Sequence, residues 1–158
     1  MRKIFYTVLT ILIFQTGISQ EITESDLLGE WTFIELQDEN GDKQTKIPLT
    51  RFGRDMGIEN VNRDSYIFND DGTYKSFNPL NISYGTWFLD KETNEINLEL
   101  RIEPESPYLP SLKKAKIVTK RKDGFYYQKP VKKRILIFEI DSMTIADREK
   151  YVLIYERK

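Results

Sequence analysis

The chain has 158 residues, 31% charged and 39% hydrophobic, with 24 basic against 25 acidic side chains, no histidine and no cysteine. Those two gaps exclude Ser-His-Asp and Cys-His nucleophiles, histidine-based zinc sites and disulfide staples. The balanced charge offers no bulk attraction to nucleic acid, and a chain without crosslinks must be held by its packed core.

Arg2 and Lys3, the apolar run from Ile4 to Phe14 and the small-residue stretch Gly17-Ile18-Ser19 mark residues 1–19 as a secretory signal peptide. The run is too short for a bilayer span, which needs about 20 apolar residues. Residues 20–158 then form the mature chain of about 139 residues, with 22 basic against 25 acidic groups, a size for one domain. A cysteine-free chain offers no thiol for a lipoprotein anchor. The expectation is therefore an exported protein of the periplasm or cell exterior, without lipid anchor or membrane span.

Glu24 to Leu28 reads as one helical turn with Ser25 as a cap, leading into a strand near Glu30 to Gln37. From Asp38 to Arg63 runs a long connection, of a length that usually means a lid or binding loop. Tyr66 and Phe68 alternate with polar neighbours before Asn69-Asp70-Asp71-Gly72, a hairpin signal, and Tyr74 and Phe77 lie on the returning strand. Residues 83–89 and 95–103 make the next pair, joined by Lys91-Glu92-Thr93-Asn94. In the second, Ile96, Leu98, Leu100 and Ile102 face one way and Glu95, Asn97, Glu99, Arg101 and Glu103 the other, so one face is buried and one wet. Pro104, Pro107 and Pro110 make a loop. Strand character returns over 115–120, 125–128, 134–140, 142–146 and 150–157. Eight to ten short strands with almost no helix read as an all-β antiparallel barrel or sandwich. Gly29-Glu30-Trp31 is echoed by Gly85-Thr86-Trp87, two strands that use Gly for close backbone approach and Trp to fill a barrel end.

Leu27-Leu28-Gly29-Glu30-Trp31, the segment Tyr66 to Tyr74, Tyr84-Gly85-Thr86-Trp87 and the closing Leu153-Ile154-Tyr155-Glu156-Arg157 together resemble the bacterial secreted lipocalin-like domains, from about residue 26 to the C terminus. The resemblance implies a single antiparallel up-and-down β-barrel, lipocalin-like, of about eight to ten strands behind a short N-terminal helical turn. It also implies a carrier of small hydrophobic molecules, with Trp31 closing the narrow end beneath Arg157. Leu153, Tyr155 and Arg157 share one strand face, which independently puts the guanidinium at a barrel end, within reach of an aromatic ring.

The residues favour binding over catalysis. Glu35, on the face of Trp31 and Phe33, could project inward, but no second carboxylate pairs with it. Asp38-Glu39-Asn40-Gly41-Asp42 looks like a calcium loop, yet Lys43 and Leu49 stand where that template needs Gly and Glu. No metal or cofactor is expected. Tyr66, Phe68, Tyr84, Leu98 and Phe138 are the candidate lining for a small hydrophobic or amphipathic ligand entering beneath the 38–63 connection. A monomer is expected; the alternative is a filled barrel that acts as an interaction module, binding a protein or anionic envelope polymer through a basic strip or the long 38–63 loop. Its basic strip would be Lys113, Lys114, Lys116, Lys120, Arg121, Lys132, Lys133 and Arg134, within a 113–134 segment of charge about +9. Lysines guarding exposed strand edges account for the same strip without a partner.

Overall fold

A computed structural model describes residues 21–51, 54–147 and 150–158. The expected signal peptide lies outside the described residues. A helical turn α1 (Glu24–Leu27) precedes β1 (Gly29–Gln37), β2 (Lys43–Gln44), β3 (Lys46–Arg51), β4 (Arg54–Asn60), β5 (Ser65–Phe68), β6 (Thr73–Phe77), β7 (Ile82–Asp90) and β8 (Glu95–Ile102). Helix α2 (Leu109–Lys114), β9 (Val118–Lys120), β10 (Tyr126–Gln128), β11 (Val131–Phe138), β12 (Ser142–Asp147) and β13 (Tyr151–Arg157) complete the chain.

Eight of these strands, β1, β5, β6, β7, β8, β11, β12 and β13, follow one another around an antiparallel up-and-down barrel. It closes where β13 meets β1, with Trp31 opposite Arg157. Between β5 and β6, Gly72 takes φ 76° and the Asp71 carboxylate accepts the Thr73 amide at 2.8 Å. That local bond is why an Asp-Gly pair makes the tight turn here. Gly85 answers a different need. A Cβ there would lie 2.1 Å from the Glu99 carbonyl oxygen, so only glycine lets β7 and β8 approach.

Two bulges reset the alternation that the sequence alone suggests. In β1 the register shifts between Phe33 and Glu35, which turns Leu36 fully inward and leaves Ile34 exposed. Glu35 is thereby sent outward, where its carboxylate meets Lys43 at 3.2 Å and the Gln37 amide at 2.6 Å. This corrects its inward placement, since one extra residue exchanges the faces of all that follow. A second shift in β11, between Ile135 and Ile137, exposes Leu136 and Ile137 and brings the Phe138 ring to 5.7 Å from Trp31.

Three further expectations are corrected. The 38–63 connection is largely a β3–β4 hairpin, rooted where β2 pairs with the end of β1 and anchored by the buried Ile47. The proline-rich loop contains α2, with Pro110 in its first turn, where the missing N–H is no loss. The cap of α1 is Thr23 rather than Ser25: the Asp26 carboxylate accepts both the Thr23 amide at 2.9 Å and its hydroxyl at 2.6 Å.

Candidate functional site

The end of the barrel beneath α1 is closed by packing. A helix leaves its last carbonyls without partners, and here three successive ones are met by barrel side chains. Arg157 donates to the Asp26 carbonyl and to that of Leu28 at 3.2 Å, while the Trp31 indole donates to Leu27 at 2.8 Å. The guanidinium sits 4.6 Å from the Trp31 ring centroid. Behind this lid, Phe68 lies 4.8 Å from Trp87 and stacks nearly parallel on Tyr66 at 5.6 Å; Leu98 is buried with them. Of the five candidate lining residues, Tyr66, Phe68, Leu98 and Phe138 belong to this interior.

Tyr84 does not, and this is a correction. Its chain neighbour Gly85 is the buried one, facing Tyr74 across the ladder, so strand parity puts Tyr84 on the outer wall, 48% exposed.

At the opposite end the interior turns polar. The Tyr155 hydroxyl donates to the Asp64 carbonyl at 3.1 Å, and Tyr155 also hydrogen-bonds Tyr66. The Asp64 carboxylate takes the Asn78 amide at 2.5 Å. Arg63 reaches across to Asp147 at 3.0 Å, a pair largely withdrawn from water. Burial pushes the Tyr66 and Tyr155 hydroxyls well above their ordinary range, and the Asp64 charge adds to this. Burial, with Asp64 and Glu99, brings Tyr74 up to about 12. All three phenols therefore stay protonated near neutral pH, as hydrogen-bond donors.

Lys133 is part of this group. It stands opposite the buried Ile96 and two residues before the buried Ile135, so its side chain runs into the barrel. Burial lowers its pKa, against a smaller raising pull from Asp147. Among the described residues its amine makes no ion pair or hydrogen bond, while the nearby carboxylates are engaged by Arg63 and Asn78.

A cavity of about 470 Å³ opens beside this group, lined by Phe33, Val61, Arg63, Ser65, Phe77 and Asn78 among others. It lies where the β1–β5 ladder stops at Trp31 and Tyr66, beyond which the Phe33 amide donates to the Ser65 hydroxyl at 3.0 Å. Two lining residues reach the interior: Phe33 packs edge-on to Tyr155 at 5.8 Å, and Arg63 pairs with Asp147.

The expected basic strip is not one patch. Lys133 is inside, Lys132 is paired with Glu95 at 2.8 Å, and Arg121 with Glu99 at 2.5 Å. Lys113 and Lys120 lie over the Tyr126 ring at 4.3 and 5.8 Å. Lys114, Lys116 and Arg134 are exposed. The residues that sequence reasoning missed are Arg63, Asp64 and Asp147, and it put Lys133 on the surface. Strand parity could have flagged Asp147 and Lys133, because Met143, Ile145 and Asp147 alternate, as do Lys133 and Ile135.

No protein-family model matches the chain, and no curated protein does. Among solved structures it is similar to a lipocalin-like protein from Bacteroides uniformis, at 16% identity and a TM-score of 0.45, over 84% of this chain and 99% of that one. An uncharacterised protein from Bacteroides eggerthii is similar at 14% identity and 0.46, over 83% and 98%. The barrel assignment rests on the strand register above.

Proposed function

We propose that this barrel is an exported, non-catalytic binding protein for a small amphipathic molecule carrying an anionic group. The observation that carries the reading is the uncommitted Lys133 amine inside the open end, close to Arg63, which lines the cavity between β1 and β5. A charge removed from water needs a partner, and Arg63 is already held by Asp147. An anionic head meeting Lys133 would supply that partner. The apolar remainder of the ligand would lie along Phe33, Val61 and Phe77, in a volume within the usual range of small-molecule sites. Below Tyr66 the barrel is filled with its own rings, so the ligand is short or only partly enclosed.

The lack of histidine and cysteine in the sequence supports binding over turnover, and the N-terminal sequence pattern supports export. Native mass spectrometry of residues 20–158, produced with export, tests the reading, together with titration of dodecanoate against dodecanol. A retained anionic small molecule, or binding of the carboxylate in preference to the alcohol that is lost in Lys133→Met, is expected. Equal affinity for acid and alcohol would remove the role of Lys133. An empty barrel that binds neither would overturn the carrier reading.

A further inference from the structure

The outer wall of β7, β8 and β10 carries a second constellation, separate from the barrel interior. Two depressions of about 350 and 470 Å³ lie side by side there, and both are lined by Tyr84 and Arg101. Thr73, Lys75, Thr86 and Tyr127 contribute to the first, and Ile82, Ser106 and Tyr108 to the second. Aromatic surface is left open along this wall: Tyr84, Phe88 and Tyr108 are all exposed.

The charges on this wall are largely compensated. Arg101 pairs with Glu103 at 3.1 Å and Arg121 with Glu99 at 2.5 Å, while Asp123 accepts the Tyr127 hydroxyl at 2.8 Å. Each guanidinium is also braced against rings. Arg101 lies 4.4 Å from the Phe125 centroid and 5.8 Å from that of Tyr84, and Arg121 lies 4.1 Å from Tyr127. The result is a rigid fan of donors and acceptors with little net charge, set between flat apolar faces.

Three classes of occupant fit poorly. An anionic polymer or lipid surface would find little net positive charge, since both arginines are paired. A peptide adding as a strand needs an open edge, and β7 is flanked by β6 and β8 while β8 is flanked by β7, β10 and β11. A purely apolar ligand would strand the paired charges. A sugar ring has what this wall complements: an apolar C–H face for an aromatic side chain, and hydroxyls around its rim for paired Arg and Glu groups.

We propose that the outer wall of β7, β8 and β10 binds a neutral oligosaccharide, with one ring stacked on Tyr84 and its hydroxyls held by Arg101 and by the Thr86–Glu99–Arg121 group, in which Thr86 donates to Glu99 at 2.9 Å and accepts from Arg121 at 3.3 Å. Because the two depressions flank Tyr84, at least two successive rings span them.

The test is titration of the isotope-labelled mature chain, followed by amide NMR, with cellohexaose, mannohexaose and xylohexaose, and with hexagalacturonate as the charged control. At least one neutral hexamer should give saturable shifts centred on Tyr84, Thr86 and Arg101, with a Kd near or below about 1 mM. Tyr84→Ala should weaken that binding about tenfold or more and Tyr84→Phe should restore it, with the spectra themselves reporting whether each variant is folded. Arg101→Lys, which keeps charge but loses the planar fork, should also weaken it, whereas Lys133→Met should leave it unchanged. Shifts confined to another face, or no saturable response to any neutral hexamer, would overturn the proposal. So would preferential, salt-sensitive binding of the galacturonate.

Discussion

Each end of the barrel places a basic side chain against the interior, and the two are treated in opposite ways. At the closed end the Arg157 guanidinium is spread over two backbone carbonyls and the Trp31 face. At the open end the Lys133 amine is drawn in by strand parity and given no hydrogen bond or ion pair among the described residues. The difference teaches how to sort buried charge by role. A cation whose terminal donors are met by backbone carbonyls is part of the fold, and Arg157 is one although its Nε has no partner among the described residues. One that the fold withdraws from water without satisfying is held for something else.

That contrast predicts where stability resides. Trp31 is fully buried, supports Phe138 and is itself bonded to α1, so Trp31→Ala should cost about 3–5 kcal/mol. Urea unfolding of residues 20–158 would measure this. A loss under about 1 kcal/mol would mean that the closed end is no more structural than the open one.

A smaller effect isolates the cation. In a double-mutant cycle, Trp31→Phe combined with Arg157→Ala should show a coupling of about 0.5–2 kcal/mol, the scale of a desolvated cation–π contact. Coupling indistinguishable from zero would assign Arg157 to the α1 carbonyls alone, and the two ends would differ only in hydrogen bonding.

The closed end was also the more legible in the sequence, for a physical reason. Trp31 lies on the first barrel strand and Arg157 on the last, and closing an up-and-down barrel brings these strands together, so order along the chain implied contact in space. The β5–β6 hairpin and the alternation of β8 were equally legible, because Asp-Gly turn chemistry and period-two burial are local. The open end depends on features that are not local. The β1 bulge reverses Glu35 and Leu36, and no composition signal precedes it. Asp64 and Asp147 meet Arg63 and Tyr155 only through tertiary placement. Lys133 was misassigned to a surface strip because a run of lysines reads as solvated, although Lys133 and Ile135 have the same parity. Tyr84 was placed inside for the converse reason, that an aromatic on a strand looks like core, when its chain neighbour Gly85 is the buried residue because β8 passes so close behind it.

The smallest expected change in stability is the most informative about function. Lys133 has its pKa lowered in the folded barrel from an ordinary 10.5, chiefly by burial, so the folded chain holds this proton less tightly than the unfolded chain does. Below the lowered value the charged amine opposes folding in full. As pH rises from the lowered value to 10.5 that cost is relieved, because the unfolded state then binds more protons than the folded one. Tyr66, Tyr74 and Tyr155, raised by burial, contribute a slope of the opposite sign as their unfolded counterparts lose protons near the ordinary value of 10, so the lysine's share is read as the difference between the parent and Lys133→Met. The variant should be more stable than the parent near neutral pH, with the gap narrowing towards pH 10.5. A gap that widened instead would mean that Asp147 and Asp64 stabilise the ammonium more than burial penalises it. Lys133 would then be a structural cation like Arg157, and the open end would have no counter-ion to offer. If the gap narrows, affinity for an anionic ligand should fall as pH rises through the same interval, since the proton lost is the one that attracts it. Stability and binding would then move in opposite directions on one titration.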